Sequence, residues 1–201
     1  MTYIFQKHKD DLPPELDMRI KCDSQSLSFY SDISNFLGDN IPGYLSHSLL
    51  DVGARTAAGT ALLRAIHHPR SFARLKLHQV TALDLDATAI AQASNEYQDI
   101  ECLAVDVNAL ANVRSWDIVL SSHTIEHVDD PSSFLASLET VATRYVVIAC
   151  PFAEVDLTEG HVHRFNMAFF EEHRFDAMKV YRSQHWHGGM ACVALKRLQQ
   201  N

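Results

Sequence analysis

His123, Glu126 and His127 stand at i, i+3 and i+4, a spacing that places three side chains on one face of a helix. Downstream, His161 and His163 flank Val162. Imidazoles with a carboxylate form an N/O donor set suited to zinc, iron or manganese. An ion held by His123, Glu126, His127 and His163 would grip substrate hydroxyls and lower the pKa of the attacking one. The same residues also suit metal-free work. A neutral imidazole near physiological pH accepts a hydroxyl proton, and His127 and His163 are then the candidate catalytic bases. Histidines that only hydrogen-bond loop backbone are the third reading, and the residues alone leave all three open.

These groups need a frame, and the chain supplies one. Ser48 to Gly59 reads as a short apolar strand, a small-residue turn and the opening of a helix. In that geometry a strand hands a nucleotide-like ligand to a helix N-terminus. Asp84 and Asp106 end two further apolar runs, and Asp86 is placed to cap the helix that follows. Strands are expected at 48–52, 79–84, 101–105, 116–121 and 144–150, and helices at 57–67, 86–96, 131–141 and 166–173. Strict alternation with short connections implies parallel strands joined by right-handed crossovers. Residues 178–195 instead read as an antiparallel hairpin, with His185-Trp186-His187 at its turn as surface or dimer-contact residues. Apolar spacings of three and four over 24–38 predict an amphipathic helix closed by Gly38. Residues 1–20, polar and carrying Pro13-Pro14, are expected to pack loosely.

Five α/β units and a terminal hairpin resemble the class I S-adenosylmethionine-dependent methyltransferases over roughly residues 25 to 198. The run Ser122-His-Thr-Ile-Glu-His-Val-Asp-Asp-Pro131 is similar to one that follows strand four in small-molecule methyltransferases. The resemblance implies a Rossmann-like α/β fold: a seven-stranded, mostly parallel sheet in the order 3-2-1-4-5-7-6 with helices on both faces. It implies one domain, 1–201, with an N-terminal helical lid at 1–45 and a core at 46–198. Asp51, Gly53, Arg55, Gly59 and Ser122 would then meet the amino acid part of the cofactor. Asp84 would take the ribose diol beside Leu85, and Asp106 with Val107 the adenine. Arg55 and Ala57 depart from the family's glycines, and the arginine either swings clear or fills the pocket. His123-x-x-Glu126-His127 and the His-x-His segment are also similar to metal-dependent O-methyltransferases of the ubiquinone pathway and of small-RNA 3′ ends. In those a glutamate takes the place of His123.

Composition bounds the rest. Forty-seven per cent of the 201 residues are hydrophobic, enough for a sizeable core. A formal charge of −8 argues against broad binding of nucleic acid backbones. No run is apolar enough to span a membrane, and the four scattered cysteines suit a reduced, cytoplasmic setting. The expected activity is O-methylation of a small-molecule acceptor (sugar, polyol or phenol), metal-assisted or not, in a monomer or a homodimer. An RNA 3′-end 2′-O-methyltransferase and a degenerate fold that only binds a partner remain open.

Overall fold

Leu49, Ile118, Leu120 and Val147 are fully buried in one core cluster, and Leu50, Val119, Val146 and Ile148 in another. Strands that are apolar on both faces must be covered on both faces, and that requirement organises the fold. The computed structural model describes residues 13–43, 45–183 and 189–199. Its strands are β1 (Ser46–Val52), β2 (Lys76–Leu83), β3 (Glu101–Leu103), β4 (Trp116–Ser122), β5 (Ala142–Pro151), β6 (Ala177–Arg182) and β7 (Met190–Arg197). They form one sheet in the order β3-β2-β1-β4-β5-β7-β6, parallel except for β7, which runs antiparallel to β5 and β6. That is the expected order.

The helices are α1 (Pro14–Asn40), α2 (Ala58–Ile66), α3 (Ala87–Glu96), α4 (Pro131–Val141) and α5 (Met167–Glu172). Phe29, Ile33, Phe36 and Leu37 of α1 join Leu63 of α2 in the first cluster, while Leu135, Leu138 and Val141 of α4 join Phe170 of α5 in the second. Asp86 caps α3 as expected, accepting from Thr88 N–H and Ala89 N–H.

Two expectations at the N-terminal end fail. The first helix begins ten residues before 24 and runs past Gly38 to Asn40. Pro14 can open it because a proline at the first position forfeits no hydrogen bond. The polar residues of the helix are held by the i, i+4 pairs Lys21–Asp17 and Arg19–Asp23, while Leu16, Met18 and Ile20 are exposed. Arg19 also reaches Glu96 of α3 with two nitrogens. β3 likewise stops at Leu103, two residues short of the expected 105, and a single 3₁₀ turn, Val107–Leu110, follows. The expectations for residues 1–12 and for the hairpin turn at His185, Trp186 and His187 lie outside the described residues.

One buried polar cluster fastens α1 to the sheet. Tyr30 Oη donates to both oxygens of Asp51, at 2.8 and 2.9 Å, and Thr60 Oγ1 of α2 donates at 2.5 Å. Asp51 has no exposure. Burial pushes its pKa from 3.8 up to about 6, against the pull of the two hydroxyl donors. A carboxyl whose folded pKa is raised gives its full stability below the unfolded value and loses it as pH rises through the folded one. Relative to Asp51→Asn, the wild type should therefore gain up to about 3 kcal/mol of stability between pH 7 and pH 4. Denaturant melts of both proteins across that range would check it.

Candidate active site

Two cavities meet at the carboxyl ends of the parallel strands. The first, about 530 Å³, lies between the ends of β1, β2 and β4 and is lined by Gly53, Asp84, Leu85, Val107, Thr124 and Phe134 among others. The second, about 410 Å³, lies under α1, whose Cys22, Gln25, Ser26, Phe29 and Tyr30 form one wall. Gly53, Arg55, His123 and His127 line both. Volumes of this order suit a small-molecule ligand.

The turn after β1 is shaped by close approach. Gly53 has φ +82, and a Cβ there would overlap Thr124 Oγ1 of the β4 loop. A Cβ at Gly59 would overlap the Tyr30 ring. Arg55 and Ala57 hold left-handed φ values of 49 and 58 without being glycine. Arg55 does not fill the first cavity: its guanidinium turns to α1, Nη1 lying 2.9 Å from Cys22 Sγ. Its backbone N–H donates to Asp84 Oδ2 at 2.7 Å, while Asp86 N–H donates to Oδ1 at 2.9 Å. Asp84 is thereby aimed at the cleft with lone pairs to spare. Asp106 takes the backbone and side-chain N–H groups of Asn108 on one oxygen. Val107 is buried beside it, and Leu85 is 72% exposed at the mouth. Ser122 and Gly59 line the second cavity. Asp51 faces Tyr30 and Thr60 and lines neither cavity, so its part is to hold the turn from behind.

The histidine loops differ from the expectation. His123 has φ 51 and is followed by a one-turn 3₁₀ segment, Ile125–His127, so no helix face gathers the three side chains. His123 stacks on Phe29 with ring centroids 3.7 Å apart, its Nδ1 lying 3.3 Å from Glu126 Oε1. The loop after β5 does converge on this one. Val162 N–H donates to Glu126 O at 2.9 Å, and His127 Nδ1 lies 2.8 Å from Gly160 O. His163, however, points away, its Nε2 2.8 Å from Val128 O and 3.1 Å from Asp129 O. The histidine that joins Glu126 and His127 is His161, and ligand atoms of these three lie within 4.8 Å of one another. Glu126 has no exposure, and among the described residues neither of its oxygens has a hydrogen-bond partner. His161 Nδ1 pairs with Glu154 Oε2 at 2.8 Å. Sequence reasoning missed Phe134, Thr124 and Glu154; it expected a helical lid at 1–45 without naming the α1 residues that form the wall.

The crossing of Gly53 and Thr124 gives a sharp expectation. Gly53→Ala should cost at least about 2 kcal/mol, through overlap and an unfavourable left-handed backbone. Thr124→Ala should recover part of that loss in the double variant, because the backbone strain stays. Thermal melts of the two single variants and the double variant would check both statements.

The methyltransferase domain family model matches residues 50–150. A search of curated proteins finds no match. Among solved structures, magnesium protoporphyrin IX methyltransferase from Synechocystis with bound S-adenosylmethionine is 12% identical with a TM-score of 0.63. The match covers 94% of this chain and 86% of that one. The N-methyltransferase NodS from Bradyrhizobium japonicum is 13% identical with a TM-score of 0.62, covering 86% and 97%. Coclaurine N-methyltransferase, bound to N-methylheliamine and S-adenosylhomocysteine, is 11% identical with a TM-score of 0.64, covering 84% and 72%. At these identities the neighbours speak for the fold, and the family model speaks for the chain's membership. The strand order, the glycine turn opposite Asp84 and the matched span agree: the chain belongs to the methyltransferase domain family and is a class I S-adenosylmethionine-dependent methyltransferase.

Proposed function

We propose that this enzyme methylates a hydroxyl of a small polyol, sugar or phenol, with a divalent ion held by Glu126, His127 and His161. The observation that carries the reading is the buried Glu126 carboxylate, which accepts no hydrogen bond among the described residues, has His123 Nδ1 at 3.3 Å, and lies beside the imidazoles of His127 and His161 in the second cavity. A buried carboxylate without donors costs several kcal/mol unless a cation or a proton answers it. Two imidazole nitrogens and a carboxylate oxygen suit zinc or manganese. When bound, the ion acidifies the acceptor hydroxyl.

The chain's own residues do the rest. Asp84 accepts from the ribose diol beside Leu85, while Asp106 and Val107 take the adenine end. Gly53, Gly59 and Ser122 approach the amino acid part, and Arg55 borders it from the shared wall. Gln25, Ser26 and Thr158 give the second cavity polar groups for a hydroxylated acceptor. Methyl transfer is an in-line displacement at a sulfonium, so alignment and exclusion of water supply most of the rate.

Chelator-treated protein should turn over hydroxylated acceptors only after zinc or manganese is restored. Amines and short single-stranded RNA should give no S-adenosylhomocysteine. Turnover of amines alone would overturn the O-methylation reading. Full turnover without metal, abolished by His127→Ala, would replace the ion with His127 as the base. Glu126→Gln should lose stoichiometric Zn²⁺ uptake in calorimetric titration while the protein remains folded.

A further inference from the structure

Glu154 lies three residues beyond β5, is assigned no part above, and is nearly enclosed: its side chain is 7% exposed and that of its partner His161 is 4%. Both carboxylate oxygens are engaged, Oε2 with His161 Nδ1 at 2.8 Å and Oε1 with the Thr158 hydroxyl at 3.2 Å. The residue before it, Ala153, holds a left-handed φ of 53 and donates its N–H to Phe165 O at 2.8 Å. A non-glycine residue in that region costs on the order of 1 kcal/mol. The loop therefore accepts both backbone strain and carboxylate burial to bring this group against one imidazole. Strain of that kind gathers at working sites.

We propose that Glu154 is a positioning residue: by accepting a hydrogen bond from Nδ1–H it fixes the ring of His161, keeps the proton on Nδ1 and leaves the imidazole lone pair on Nε2, for use with Glu126 and His127. The inference rests on the site reading above and adds a residue to it. His127 is arranged alike, its Nδ1 beside Gly160 O. The two rings stand edge to face with centroids 4.9 Å apart, so the two loops present a matched pair of imidazoles. A carboxylate behind a ligating histidine sets its tautomer and strengthens it as a donor, and losing that partner typically weakens metal binding by 10- to 100-fold.

Two measurements test this, neither requiring turnover. Long-range ¹H–¹⁵N correlation at neutral pH should show His161 of the wild type with its proton on Nδ1, and Glu154→Ala should mix the two tautomers. Calorimetric titration with Zn²⁺ should show a loss of about 10- to 100-fold in Glu154→Ala and a smaller loss in Glu154→Gln. In a His161→Ala background, Glu154→Ala should change Zn²⁺ affinity no further. S-adenosylhomocysteine affinity reports that each variant is folded. A wild-type His161 protonated on Nε2 would overturn the proposal. So would Glu154→Ala leaving tautomer and Zn²⁺ affinity unchanged in a folded protein. If the wild type takes up no Zn²⁺, the ion reading falls, and the tautomer measurement alone decides the role of Glu154.

Discussion

The site stands on one enclosed carboxylate. Asp51 lies between Leu50 and Val52 near the end of β1, and its oxygens are taken by Tyr30 of α1 and Thr60 of α2. Strand, roof and first crossover helix are thereby fixed at one point. Tyr30 cannot sit there unless residue 59 lacks a Cβ, and the β4 loop cannot cross the turn unless residue 53 does. The two glycines thus serve packing of protein on protein as well as access for a ligand. The Asp51 cluster thus ties the helix that carries Cys22, Gln25, Ser26 and Phe29, one wall of the second cavity, to β1.

The molecule answers the cost of enclosed carboxylates in three ways within a small volume. Asp51 is met by two hydroxyls, and burial still keeps its pKa near 6. Glu154 is met by an imidazole and a hydroxyl. Glu126 is met by no hydrogen-bond donor among the described residues, with His123 Nδ1 at 3.3 Å and two further imidazoles close by. A group as expensive as that survives where it has work to do. Asp51 and Glu126 also differ in place: the saturated carboxylate lines neither cavity, and the one without a hydrogen bond lines the second.

Much of the fold was legible because it follows from period and punctuation. Alternating apolar runs and helical spacings give the parallel core, and the edge hairpin announces itself through a different rhythm. Asp84 and Asp106 were legible as strand-tip acids, and Asp86 as a cap. The site was legible only to the level of loops. A helical face was read into 123–127, but a left-handed residue at His123 ends the strand in a 3₁₀ turn. The choice between His161 and His163 was hidden as well. His161 closes a turn with its N–H on Thr158 O, so the two do not share one extended run. No spacing rule joins Glu154 to His161 across that loop. The N-terminal extension of α1 was missed because a polar run behind Pro13-Pro14 resembles a loose tail when the i, i+4 pairs Lys21–Asp17 and Arg19–Asp23 are not counted.

The account turns on whether the turn after β1 still admits the cofactor with arginine and alanine in place of glycines. Arg55 directs its guanidinium at Cys22, leaving a cavity of about 530 Å³ beside Asp84. Calorimetric titration of S-adenosylhomocysteine into chelator-treated protein tests this directly. The account predicts saturable, stoichiometric binding in the micromolar range, near −8 kcal/mol. A folded protein that shows no binding at millimolar ligand would contradict it.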